Sequence, residues 1–182
     1  MKKLLSFAVV TLMLIPSLVS CFEDDTKLWN QYEELYVNNT NWLIEQIEKK
    51  DSNGELYYNL LTANWDSLAF VYIHYFNDTM LTKDNPQPYY TSTVEVKYRG
   101  QLYNGTVFDS TAVDSTYKTK LSSVITGWNV ALSNMHVGDS VQVIIPYHVA
   151  YGESGSATIP PYSNLLFDIK LVSIPALVVP NS

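Results

Sequence analysis

Val94-Glu95-Val96-Lys97-Tyr98-Arg99-Gly100-Gln101-Leu102-Tyr103-Asn104-Gly105-Thr106-Val107-Phe108-Asp109-Ser110 is the stretch on which the rest of the sequence hangs. Its first nine residues alternate, so Val94, Val96, Tyr98 and Leu102 are predicted to face inward along a strand. Asn104-Gly105 is a dipeptide that tolerates positive φ at both positions, and it predicts a tight hairpin with residues 106–110 as the return. Downstream, Val124-Ile125-Thr126-Gly127-Trp128 leads into a short helix with Trp128, Leu132 and Met135 on one apolar face and Gly138 as its stop. Val141, Val143 and Ile145 then alternate along a strand that Pro146 ends. Leu165, Phe167, Ile169 and Leu171 alternate against Asp168 and Lys170 in a closing strand. Antiparallel strands around one helix predict an α+β fold with the sheet wrapped on that helix.

Composition narrows the function classes. The chain has 182 residues, 47% of them hydrophobic and 16% charged, which suits one domain with a helical appendage. A formal net charge of −7 makes nucleic acid an unfavourable partner. One cysteine cannot form a disulfide framework or a Cys-based zinc site. The three histidines, His74, His136 and His148, show no metal-ligand spacing, so no metal site is expected.

In the front section, Leu28, Trp29, Tyr32, Leu35, Tyr36, Trp42, Leu43 and Ile47 recur at helical steps. They predict an amphipathic helix between Thr26 and Lys50, interrupted near Asn38-Asn39 and stopped by Asp51-Ser52-Asn53-Gly54. Its aromatic stripe reads as a packing face or as a seam for a homodimer or other partner. Leu68 to Phe76 reads as a strand with His74 partly buried among aromatics. Asn85-Pro86-Gln87-Pro88 marks a turn before the next strand. Nothing in residues 22–90 looks catalytic.

Residues 1–20 read as an address. Met1-Lys2-Lys3 is basic, and Leu4 to Ile15 is apolar but shorter than the roughly 20 residues a membrane span needs. Leu18-Val19-Ser20-Cys21 is similar to the lipobox of bacterial lipoproteins. That resemblance implies cleavage before Cys21, acylation of Cys21 and anchoring in the cell envelope, with Phe22 after the cysteine fitting the outer membrane. Loss of Lys2 and Lys3 takes the net charge from −7 to −9, so the lipid rather than the protein surface would hold the membrane. The alternative is an ordinary secretion signal with an incidental cysteine.

Several blocks of the back half resemble the FK506-binding-protein family of peptidyl-prolyl cis/trans isomerases. They are Val94 to Ser110, Val124 to Leu132, Met135 to Gly138, Ala150-Tyr151-Gly152, Ile159-Pro160-Pro161 and Leu166-Phe167-Asp168. The resemblance covers residues 94–174 and implies a domain over residues 91–176. Before it lie the address (1–20) and a section of tether, amphipathic helix and leading strand (21–90); a tail (177–182) follows. It implies an FKBP-like sheet around a short helix, with no cofactor and proline-containing polypeptides as substrates.

The chemistry suits such a site. Turning a prolyl amide has a barrier of roughly 18–20 kcal/mol, set by resonance lost as the bond twists. No bond to carbon breaks, so an apolar cup and a few placed polar groups suffice. By resemblance, Trp128 would floor the cup, and Tyr98, Phe108, Val124, Ile125 and Phe167 would wall it. The Tyr151 hydroxyl and the Ile125 N–H would each hold a substrate carbonyl, and Asp109 would act electrostatically on the twisting amide. Ala150 flanks Tyr151, and Ile159 would close the rim from a flap loosened by Gly152, Ser154, Gly155 and Ser156. Plainer readings stand beside these: Trp128, Phe167 and Tyr98 as core, and Asp109 as a turn cap. The 109–124 loop is shorter than in many relatives and lacks their arginine, with Tyr117 a loose substitute for a wall residue. A proline-binding chaperone without catalysis, and an assembly or ligand-capture protein working through the front helix, are the competing readings. Deleting residues 22–85 should spare isomerisation and abolish capture.

Overall fold

The computed structural model describes residues 20–180, with side chains from residue 30 onward. The address reading of residues 1–19 and the Cys21 side chain lie outside that range. Two helices, α1 (Ser20–Ile47) and α2 (Thr126–Leu132), accompany seven strands: β1 (Asn59–Thr62), β2 (Phe70–Tyr75), β3 (Thr93–Leu102), β4 (Val107–Ser110), β5 (Tyr117–Lys120), β6 (Ser140–Ile145) and β7 (Leu165–Ala176). The strands form one antiparallel sheet in the order β1-β2-β6-β7-β3-β4, and β5 lies beside the other half of β3. The last connection is a split edge. Gly100 pairs with Asp109 on β4, and Val96 pairs with Tyr117 on β5. Residues 111–116 loop away between the two.

One face of this sheet closes on α2. Val71, Ile73, Val94, Val96, Val141, Val143, Ile169 and Leu171 are buried with Trp128, Val130, Ala131 and Leu132 in a single cluster. Full burial of such side chains contributes about 1.5–3 kcal/mol each. That burial, rather than intrinsic propensity, holds a seven-residue helix, which is far below the length at which an isolated helix is stable. Gly127 permits the approach: a Cβ there would lie 2.2 Å from Ile145 Cγ2.

Gly138 does not end this helix. The last helical residue is Leu132, and the Ser133 N–H closes the final turn on Asn129 and Ala131 carbonyls. Met135 stays buried beyond the helix, so the apolar spacing outlasts the helical backbone. Gly138, at φ +101, serves the turn into β6 and donates its N–H to the Leu171 carbonyl at 2.9 Å. The Asn85–Pro88 segment straps the same end. Asn85 Nδ2 donates to Val137 O at 2.7 Å, Gln87 Nε2 to Ser133 O at 2.8 Å, and the Val137 N–H to Pro86 O at 2.9 Å.

The expected interruption of the front helix is also absent. Asparagine competes for backbone hydrogen bonds and so suggests a break, yet Asn39 lies inside α1 and is 1% exposed. Its amide donates back to Leu35 O at 2.9 Å. Its Oδ1 and carbonyl accept from the Asn164 N–H and Nδ2 at 2.9 and 2.8 Å. A tertiary partner thus satisfies the groups that would otherwise disturb the helix.

The leading strand is part of the sheet. β2 pairs with β6 from Tyr72↔Ile144 to Tyr75↔Val141, and Val71 and Ile73 are core residues. Removing residues 22–85 would strip two strands and expose one side of β6, so isomerisation should not be expected to survive that deletion. His74 sits as expected: its ring stacks on Tyr57 at 3.8 Å, and its Nδ1 lies 2.8 Å from the Tyr57 carbonyl.

Candidate active site

The split edge, the start of α2 and the middle of β7 converge on a cavity of about 310 Å³. Trp128, on the first turn of α2, lies at its base. The indole meets Tyr98 at 5.0 Å and 83°, Phe167 at 5.4 Å and 81°, and Tyr117 at 6.4 Å and 77°. Phe108 meets Phe167 at 5.5 Å and 88°. Edge-to-face contacts of this kind are favourable beyond area burial and fix each ring against its neighbours. Their closeness depends on Gly100, where a Cβ would lie 2.6 Å from Phe108 Cζ and 2.7 Å from Phe167 Cε1.

Among the described residues, Asp109 is the one charged residue lining the cavity. β4 presents it opposite Gly100, and its Oδ2 accepts the Tyr98 hydroxyl at 2.5 Å. Burial pushes the Tyr98 phenol well above its usual range, and the hydrogen bond to Asp109 pushes it the same way. Tyr98 therefore remains protonated and donating, which orients the carboxylate at the mouth of the cup. Tyr151 follows the turn after β6 and is 39% exposed. Its phenol is also raised, by burial first and then by Asp109 and Tyr117, so at neutral pH its hydroxyl is a donor.

Trp128 Nε1 and the Ile125 backbone N–H bear on what the cavity can hold. Among the described residues, Trp128 Nε1 is the buried side-chain nitrogen or oxygen that lacks a hydrogen bond. The Ile125 backbone N–H, between the Leu121–Ser123 turn and α2, makes no bond to another backbone group, while its carbonyl accepts from Trp128 N at 3.0 Å.

The structure thus brings Asp109, Tyr151, Trp128, Tyr98, Phe108, Val124, Ile125 and Phe167 to one cavity. It does not bring Ala150 and Ile159 to the lining. Ala150 packs against the core, and Ile159 is buried within it. The flap neck is tied by Ser156 N–H to Ile159 O at 2.8 Å and Ile159 N–H to Ser156 O at 3.0 Å. Gly155, at φ +68, has no room for a Cβ, which would sit 2.3 Å from Ile159 O. Ser123 and Gly100 were given no role from sequence. Gly100 breaks the alternation of its strand, a signal that could have marked a close approach. Tyr117, the loosely aligned candidate, does line the cavity. His136 and His148 lie outside it and contact Asp139 and the Leu68 carbonyl. Among the described residues, no three His, Cys, Asp or Glu residues are grouped to hold a metal ion.

An aromatic cup with a single carboxylate, on a sheet wrapped around one short helix, defines the class. Residues 85–172 match the model of the FKBP-type peptidyl-prolyl cis-trans isomerase family. Over that span the chain is similar to this family. It is 44% identical over 89 residues to the FKBP-type 22 kDa peptidyl-prolyl cis-trans isomerase of Escherichia coli, covering 48% of this chain and 43% of that protein. It is 48% identical over 82 residues to the macrophage infectivity potentiator of Trypanosoma cruzi, covering 44% and 42%. The chain thus spans less than half the length of these relatives. A solved peptidyl-prolyl cis-trans isomerase from Pseudomonas syringae superposes with a TM-score of 0.64 at 26% identity, over 78% of this chain and 94% of that one. FkpA from Escherichia coli shares the fold at a TM-score of 0.66 and 24% identity, over 88% and 71%.

Proposed function

We propose that the protein is a prolyl isomerase that acts on Xaa-Pro bonds of exported proteins and is held in the cell envelope by a lipid on Cys21. The observation that carries the catalytic reading is the cup itself: six aromatic rings around a site with one oriented carboxylate. A proline ring seated on Trp128 leaves water, and its amide meets fixed dipoles instead of solvent. Tyr151 Oη donates to one substrate carbonyl and the free Ile125 N–H to another, which hold the chain on both sides of the rotating bond. Asp109 places negative charge beside the amide as its resonance is lost. No proton moves and no covalent bond forms.

Exchange NMR on a short Xaa-Pro peptide tests this, with a protein starting at Glu23. Acceleration is expected, and Tyr151→Phe should reduce kcat/KM about fivefold, the worth of one neutral hydrogen bond of about 1 kcal/mol. Asp109→Ala should reduce it at least as much. Absence of acceleration by the folded wild type would reject catalysis and leave a proline-binding module.

The envelope setting rests on Leu18-Val19-Ser20-Cys21 behind the apolar run of residues 4–15. Radiolabelled palmitate should enter the wild type and not Cys21→Ala, which should leave the membrane fraction. A homodimer through α1 is supported by its exposed Tyr36, Val37 and Ile44. Light scattering on the wild type and on Val37→Glu/Ile44→Glu reads it directly.

A further inference from the structure

A second and larger cavity, about 800 Å³, lies across a ridge from the aromatic cup. Residues 122–126 form that ridge. Ser123 and Ile125 line the cup, Ser122 and Thr126 line the other cavity, and Val124 lines both. The far wall is assembled from three separate segments: Trp65 in the β1–β2 loop, Pro88-Tyr89-Tyr90 of the strap, and Pro180 of the tail. Trp65, Tyr89 and Tyr90 are 56%, 45% and 48% exposed. Single exposed aromatics are ordinary, but three around one concavity are not.

Among the described residues, none that lines the groove carries a charge, which sets it apart from an anion or cation site and from a nucleic-acid surface. Its size falls within the roughly 300–1,000 Å³ of ligand clefts. Aromatic and prolyl walls interspersed with hydroxyl and amide groups are the surfaces on which extended or polyproline-type chain docks. The groove also adjoins the cup, sharing Val124 with it, and the Ile125 N–H, which bonds no other backbone group, stands on the ridge a chain would cross.

We propose that this groove binds the segment of the substrate polypeptide flanking the isomerised proline, as an extended, uncharged stretch bearing aromatic or prolyl side chains. The proposal rests on the cup being the proline site. It makes the enzyme's preference depend on residues well away from the bond that turns.

The test compares a tetrapeptide containing one Xaa-Pro bond with three longer peptides sharing that centre. One carries about six uncharged, aromatic-containing residues before it, one carries them after it, and one carries glutamates. Six extended residues reach about 20 Å. Exchange NMR gives turnover, and anisotropy of labelled peptides gives affinity. One of the two uncharged extensions should tighten binding about tenfold, and the glutamate extension should not. Trp65→Ala combined with Tyr89→Ala should return the extended peptide to the tetrapeptide's affinity. Tetrapeptide turnover and melting temperature should not change, because both side chains lie outside the cup. The groove proposal is overturned if no extension tightens binding, or if the gain survives in the double variant. If the wild type fails to turn over the tetrapeptide, the isomerase reading falls instead, and the anisotropy comparison still decides the groove.

Discussion

The two helices of this protein are held by opposite means. α2 has seven residues, of which Gly127, Trp128, Val130, Ala131 and Leu132 are buried. α1 has 28 residues, and Asn39 is the buried one among its described side chains. The short helix exists because the sheet surrounds it, and its sequence could not sustain it in water. The long helix draws on its own length and meets the domain at a few points: Asn39 on Asn164, and Tyr36 against Tyr147 and Tyr162 at 6.3 and 5.5 Å. The difference teaches that helix length is a poor guide to where stability resides. The element that carries Trp128 is the one with least helix and most burial.

The contrast fails if damage to α2 is tolerated. Leu132→Ala should cost about 2–5 kcal/mol by loss of transfer energy and creation of a cavity, read as a large drop in urea midpoint. Activity and stability should fall together, since the same cluster supports the cup. At α1, Asn39→Ala removes the Oδ1 acceptor and leaves the buried Asn164 backbone N–H unpaired, at about 1–3 kcal/mol, while the residue-39 carbonyl still accepts from Asn164 Nδ2. Here the loss should show as faster amide exchange in α1 and at Asn164, with β3, β6 and β7 protected as before.

Alkaline pH sharpens the comparison further. Tyr75 donates its hydroxyl to the Asn134 carbonyl just beyond α2, at 3.1 Å, and burial followed by the Asp139 charge pushes its phenol up to about 12. In the unfolded chain a tyrosine titrates near 10. The folded state therefore favours the neutral form, and its contribution is complete below pH ~10 and lost as pH rises toward 12. Melting temperature should hold flat from neutral pH to about 9 and then decline, and Tyr75→Phe should decline less steeply. The smallest effect should come from Ile44→Ala on the exposed side of α1, within about 0.5 kcal/mol by denaturant midpoint.

β2, β3, β6 and β7 are legible because alternation is a direct record of one wet and one dry face: Val94, Val96, Val141 and Val143 are all fully buried. The four-residue strands β1 and β5 are too short to be expected from it. Helix ends were less so. Met135 continues the apolar spacing of Trp128 and Leu132 after the backbone has left the helix, and periodicity cannot tell the two apart. Asn38-Asn39 looked like a break because its remedy, Asn164, lies 125 residues away in the chain. The cup walls follow from resemblance, not from pattern. Gly100 earns its place only through two rings on other strands, and the second cavity draws on segments around residues 64, 89, 122 and 180. Local signals cannot report concavities assembled from so many places.

The Asn39–Asn164 clasp carries a consequence for anything that binds α1. Asn164 also receives the Tyr147 N–H on its Oδ1 at 2.9 Å, and the Tyr147 carbonyl in turn receives the Gly152 N–H at 2.8 Å, next to Tyr151. A ligand that lifts α1 off the domain must first undo that joint, and its affinity is discounted by what the joint is worth. By reciprocity, a substrate that stiffens the loop around Tyr151 strengthens the seat of α1 and weakens such a ligand by the same factor. The front helix and the loop around Tyr151 are thermodynamically linked through a single asparagine pair.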